Sequence, residues 1–242
     1  EYLLSQVETA SRVLEREFGI ALTVIRLKRW SPPDVDIFGI ARSAAGISGR
    51  EGVDLTLVCL GPPAPVTYWD SDGILGYARV LTNVVVTRVM NAHVFVHEIG
   101  HVLGAIHTAG EGGVIMEPMM RHYAINGHFR VLPPMLFSGV NRRIMEITRT
   151  IPLGAGFEQH ADKMAQLLQT GVTGFRIVVG PGEGEGWLQD PGYDTMFRTA
   201  AETGQALCPL VHADGLDDLL RMCEKHPDTI VVVDHMARIG ET

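Results

Sequence analysis

The chain has 242 residues, 46% of them hydrophobic, and a formal net charge of -8, a length that accommodates one large core or two modest ones. Its acidic balance, with no run of Lys and Arg, excludes the phosphate neutralisation on which nucleic-acid binding depends. Every apolar stretch is broken well short of the roughly 18 residues that a membrane-spanning helix requires.

Leu3, Val7, Ala10, Val13, Leu14 and Phe18 recur at helical spacing, so residues 3–18 are expected as an amphipathic helix that ends at Gly19. A helix that starts at once behind Glu1, with no Met, leads us to expect the natural N-terminus upstream, so no compartment is assigned. Residues 21–30 set Val24, Ile25 and Leu27 against Arg26, Lys28 and Arg29 and are expected as a strand, broken by Ser31-Pro32-Pro33-Asp34. A second helix is expected near 35–45 and a strand over 53–60, followed by a long polar loop at 61–73. Strands then follow at 76–80 and 83–89, the second rich in β-branched residues. Asn91 is the expected N-cap of a helix over 92–103 that Gly104 closes. Residues 108–137 are Gly-, Met-, Pro- and His-rich without a period and are expected to be irregular, before a Ser138-capped helix at 138–149.

Past Thr150 the pattern changes to alternating strand and helix: 174–179, 193–203, 205–211, 216–225 and 229–235. These strands are continuous apolar runs, as a parallel sheet buried on both faces requires. The expected class is therefore α/β with two domains, residues 1–150 and 151–242. Cys59, Cys208 and Cys223 are odd in number and widely spaced, so free thiols are expected rather than a disulfide framework or a Cys-x-x-Cys clip.

The chemistry concentrates in the helix at 92–103. Residues four apart on an α-helix lie about 40° apart in azimuth, so His97 and His101 offer two imidazoles to one ion. Glu98 lies about 100° round from His97, where it can flank that ion without ligating it and accept a proton from an activated water. Gly104 lets the backbone leave the helix, and His107 can return as a third nitrogen ligand. With 10 His and 27 Gly in the chain, this five-residue constraint should arise by chance about once in 10,000 such sequences. His93, one turn before His97, is expected to pack rather than ligate, and His122 and His128 are expected on the surface.

The pattern H-E-x-x-H-x-x-G-x-x-H, followed by Val114-Ile115-Met116-Glu117-Pro118, resembles that of the metzincin zinc metalloproteases. The order of elements over residues 1–150 resembles that family as well. The resemblance implies an α+β domain with a twisted mixed sheet, zinc held by His97, His101 and His107, and Glu98 as general base toward zinc-activated water. It also implies Met116 as a hydrophobic floor beneath the histidines, and an edge strand including Gly76, Tyr77 and Ala78 on which a peptide or protein substrate lies. Pro118 stands where some branches carry a further Tyr ligand.

Residues from about 155 onward resemble part of a different family, the amidohydrolase-related hydrolases built on a TIM barrel. The matching stretches include Gly171-Val172-Thr173-Gly174-Phe175-Arg176, Leu210-Val211-His212 and Val232-Val233-Asp234-His235. That resemblance implies a partial parallel βα barrel, with His212 and His235 at strand ends as metal or pocket residues. The family's H-x-H pair and final Asp are missing from the required places, and about three βα units cannot close a barrel. Three functions are thus in view: zinc-dependent peptide hydrolysis, a metal-dependent hydrolase of a small substrate through the C-terminal segment, and a catalytically silent, metal-stabilised binding module. The oligomeric state is not set by the sequence.

Overall fold

The computed structural model describes residues 1–32, 36–48, 53–61, 75–108, 114–116, 123–125, 129–131, 135–153, 157–179 and 184–238. The chain divides into two compact units, Glu1–Ala155 and Gly156–Thr242. Both combine helices with small sheets, an α/β chain in the general sense. No helix among the described residues is long and apolar enough to cross a membrane.

The first unit opens with α1 (Tyr2–Phe18), which buries Val7, Ala10, Val13, Leu14 and Phe18 and ends at Gly19 in the left-handed region, φ +67°. Residues 21–30 do not join a ladder among the described strands: Val24, Ile25 and Leu27 are 43, 63 and 61% exposed, and Leu22 and Trp30 alone pack inward. The alternation that suggested a strand mixes Val24 with Arg26 and Lys28 on one face and Ile25 and Leu27 with Arg29 on the other, so neither face is purely apolar. Helix α2 (Ile37–Ser48) follows Asp36, whose Oδ1 accepts from the Phe38 and Gly39 N–H groups.

Three strands make the sheet of this unit: β1 (Thr56–Cys59), β2 (Gly76–Ala78) and β3 (Val84–Thr87). β3 is central and fully buried, parallel to β1 and antiparallel to β2, with Gly76 opposite Thr87 and Ala78 opposite Val85. Helix α3 (Ala92–Val102) packs on one face of this sheet with α1, around Val85, Phe95, Val96, Ile99, Val102 and Met145. On the other face α2 covers Val84 and Val86 with Ile37, Ile40 and Ala44. A short antiparallel ladder, β4 (Tyr123–Ile125) with β5 (Phe129–Val131), lies inside the stretch expected to be irregular. The unit's last helix, α4 (Gly139–Thr148), is capped by Ser138 Oγ, which accepts from Asn141 N at 3.2 Å.

The second unit contains α5 (Asp162–Leu168), β6 (Gly174–Val178), α6 (Pro191–Thr203), β7 (Ala206–Leu210) and α7 (Leu216–Lys225) around a core of Met164, Met196, Phe197, Leu207 and Met222. β6 and β7 are parallel. The strand expected at 229–235 contracts to a single parallel bridge, Leu207 to Val231. Beyond it a 3-10 turn at Asp234–Arg238, with φ +47° at His235 and +55° at Ala237, carries the chain out of extended geometry. Cys59, Cys208 and Cys223 are free and half-buried.

Candidate metal centre

Helix α3 is held before it presents its chemistry. Asn91 Oδ1 accepts from His93 N at 2.8 Å, and Gln6 Oε1 of α1 accepts from Ala92 N at 3.0 Å, so the first turn is capped from two directions. Val94, Phe95, Ile99 and Val102 are all buried, which leaves the His97 and His101 face aimed out of the core. Gly104 at φ +85° turns the chain, and its missing Cβ avoids Thr148 Cγ2 at 3.0 Å and Ile144 Cγ2 at 3.2 Å. Asn141, fully buried on α4, then grips the backbone of Ile106 with both ends of its amide: Oδ1 accepts from Ile106 N at 2.9 Å and Nδ2 donates to Ile106 O at 3.0 Å. The next residue is His107.

This scaffold brings three Nε2 atoms together. His97 and His101 are 3.2 Å apart, His97 and His107 3.2 Å, and His101 and His107 3.0 Å. The tautomers of two of them follow from their other nitrogens. His97 Nδ1 lies 2.7 Å from Ile115 O and His101 Nδ1 2.9 Å from Ala105 O; a carbonyl only accepts, so both Nδ1 atoms donate. In the neutral rings both Nε2 atoms then carry bare lone pairs. Burial, the largest cause for each, lowers the pKa of His97 and of His101 to about 4 against the carbonyl bonds that raise it, so both are neutral at pH 7. Burial also lowers the pKa of His107.

Two lone pairs facing one another at 3.2 Å repel, and a single proton on His107 satisfies at most one of them. A cation satisfies all three. Tetrahedral zinc with bonds of 2.0–2.1 Å spaces its nitrogen ligands about 3.3 Å apart, close to this triangle. Imidazole donors suit zinc and other first-row divalent ions, so the three histidines fit a metal ion without fixing its identity. His107 is exposed whereas His97 and His101 are half-buried, so solvent reaches the cluster from the His107 side.

Glu98, next in sequence to His97, is 6% exposed, and burial alone raises its pKa to about 8. A divalent cation nearby would draw that value down again. Met116 is fully buried, with its sulfur 2.9 Å from where a Cβ on Gly100 would stand, under the turn of α3 between His97 and His101. Its carbonyl accepts from Thr108 N at 3.1 Å, while the preceding carbonyl, Ile115, holds His97. The segment after the motif therefore touches the site through two backbone groups.

No family model and no curated protein matches this chain. The remaining expected residues are placed by geometry. β2 is an edge of the three-stranded sheet among the described strands, and Gly76 and Ala78 lie on the side of α3. Tyr77 faces the other way, edge-on to Phe38 at 4.8 Å with 81° between the rings, so it meets α2 rather than the metal cluster. His212 follows β7 and His235 lies exposed beside Asp234; among the described residues neither belongs to a metal-capable group of three. Glu117, Pro118, His122 and His128 lie outside the described residues.

Asn141 and Gln6 went unnoticed in the sequence, and Ile115 was noted only as part of the Met-containing turn, not for its carbonyl. Ile115 and Gln6 act through groups that carry no motif. Asn141 left one trace, a polar residue within the amphipathic pattern of α4 one position after Val140.

Proposed function

We propose that the first unit is a zinc-dependent peptidase of the metzincin type, with His97, His101 and His107 holding the ion and Glu98 as general base. The observation that carries this reading is the convergence of three Nε2 atoms within 3.0–3.2 Å, two of them left as bare acceptors by carbonyl bonds at Nδ1. Zinc, when bound, supplies Lewis-acid chemistry, lowering the pKa of water and polarising a scissile carbonyl. Glu98 accepts the proton of the attacking water and returns it to the leaving amine nitrogen. Its burial keeps bulk water from competing for that proton. The exposed side of the cluster, beside His107, admits the peptide, and the edge strand β2 offers it backbone groups through β-augmentation.

The deciding experiment joins metal analysis to digestion of a peptide library. The wild type should hold one zinc per chain and cleave peptides, and Glu98→Ala should hold the same zinc and lose cleavage by at least about 100-fold, the usual scale of a general base. Cleavage undiminished in Glu98→Ala sinks the assignment. Stoichiometric zinc without any cleavage by the wild type would point instead to a metal-stabilised binding module.

A further inference from the structure

Helix α3 meets β2 at a residue without a side chain. A Cβ placed on Gly76 would stand 2.5 Å from Glu98 Oε1, 2.6 Å from its Cγ and 2.7 Å from its Cδ. Carbon atoms in contact settle at about 3.5–4.0 Å, so three atoms of Glu98 occupy the space that any other residue at 76 would fill. Glycine is often retained because the backbone needs a positive φ, but Gly76 is not among the glycines with that geometry. Space is what position 76 provides.

The backbones on both sides of the contact are held, so the side chain of Glu98 must give way to any added group. Gly76 is in register with the fully buried Thr87, and Arg88 N donates to Leu75 O at 2.8 Å, so β2 is pinned to the central strand. Leu81 N donates to Val102 O at 2.8 Å, which ties the turn after β2 to the end of α3. Strand and helix are thus fixed at both ends of the contact, and Glu98 lies in the slot between them.

We propose that Gly76 is a positioning residue for Glu98: its bare backbone forms the wall of a slot that sets where the general-base carboxylate stands beside the three histidines. This role is separate from any backbone contact of β2 with a peptide, and its catalytic consequence rests on the peptidase reading. A displacement of about 1 Å at a reacting group can cost 100-fold in rate, and an added methyl at Gly76 demands a shift of about that size of Glu98.

The test is a double-mutant cycle on the full chain with Gly76→Ala and Glu98→Ala, read by thermal unfolding without metal, by zinc content, and by kcat and KM separately. Gly76→Ala alone should lower Tm by at least about 3 °C, the scale of one kcal/mol in a protein of this size. In the Glu98→Ala background, where the slot is empty, the same change should cost little. Gly76→Ala should keep one zinc per chain and lose about 100-fold in kcat with KM near the wild-type value. Should Gly76→Ala fail to fold, folding of the double variant supports the slot, and failure of both overturns it. Equal losses of Tm in both backgrounds overturn the proposal, as does a raised KM with unchanged kcat, the signature of a peptide-binding strand. If the wild type cleaves no peptide the peptidase reading fails, while the stability cycle still decides whether Gly76 houses Glu98.

Discussion

Glu98, His97 and His101 titrate in opposite directions, which gives the metal-free protein a characteristic pH response. Each histidine has a native pKa near 4 against 6.5 as its ordinary value, so between those values the unfolded chain binds more protons and stability rises with pH. Glu98 has a native pKa near 8 against 4.5, so between those values the folded chain binds the extra proton and stability falls as pH rises. Below pH 6.5 the two histidines outweigh the one carboxyl; above it only Glu98 acts. Denaturant unfolding of metal-free protein should therefore show greatest stability near pH 6.5 from these groups, with a decline toward pH 8 of up to about 1.4 kcal/mol per pH unit. Glu98→Gln should flatten that decline, and an unaltered alkaline limb would show that Glu98 is not buried as a neutral acid. Asn141 offers a second test at this scale. Asn141→Ala leaves the Ile106 N–H and C=O without their partners and should cost about 1–3 kcal/mol. It should also weaken zinc binding about 10-fold in a chelator competition, because it loosens the backbone beside His107. The His and Glu positions were legible in the sequence because helical spacing alone fixes their relative directions. Asn141 and the Ile115 carbonyl were not, since their partners lie 35 and 18 residues away and only tertiary packing brings them together.

Among the elements, the turn that joins α3 to the third histidine carries the largest conformational demand. Gly104 adopts φ +85° with Thr148 and Ile144 of α4 against it, so Gly104→Ala adds a left-handed backbone penalty of about 1–2 kcal/mol and a contact at 3.0 Å. Gly139, at the first turn of α4, has nothing within 4 Å of a Cβ and no positive φ, so Gly139→Ala should be neutral or stabilising by up to about 1 kcal/mol. Urea unfolding of the two variants checks the contrast; equal effects would mean that the turn tolerates a side chain. Helix ends were readable for the same local reasons: Asn91 and Ser138 cap where their hydroxyl or amide oxygens meet free N–H groups, and Gly19 and Gly104 turn the chain in the left-handed region. Strands were harder. β3 was recognisable from its β-branched run, whereas residues 21–30 have strand composition but no ladder among the described residues, because pairing depends on a neighbour that the segment does not contain.

Across the whole molecule, each unit has a hydrophobic cluster of its own: Phe95, Met116 and Met145 lie in the first, Phe197, Leu207 and Met222 in the second. The shift past Thr150 to largely apolar strands was visible, and β6 and β7 are parallel, but burial on both faces does not hold for β6, whose Arg176 and Val178 are exposed. The weak third strand was not visible, since Asp234 and the positive φ at His235 turn the chain away after one bridge. All three candidate metal ligands belong to the first unit, on α3 and the turn after it. A ligand that binds only the native state stabilises it by RT ln(1 + [L]/Kd), about 2.7 kcal/mol at 100 times Kd. That energy enters through the elements that hold the histidines: α3, the turn at Gly104, the Ile115–Met116 segment and α4. Hydrogen exchange of the full chain with and without zinc should show added protection in those amides, while β6, β7, α6 and α7 provide the internal control. Protection that instead gathers around His212 and His235 would move the metal to the second unit and overturn the assignment of the ion to the triad.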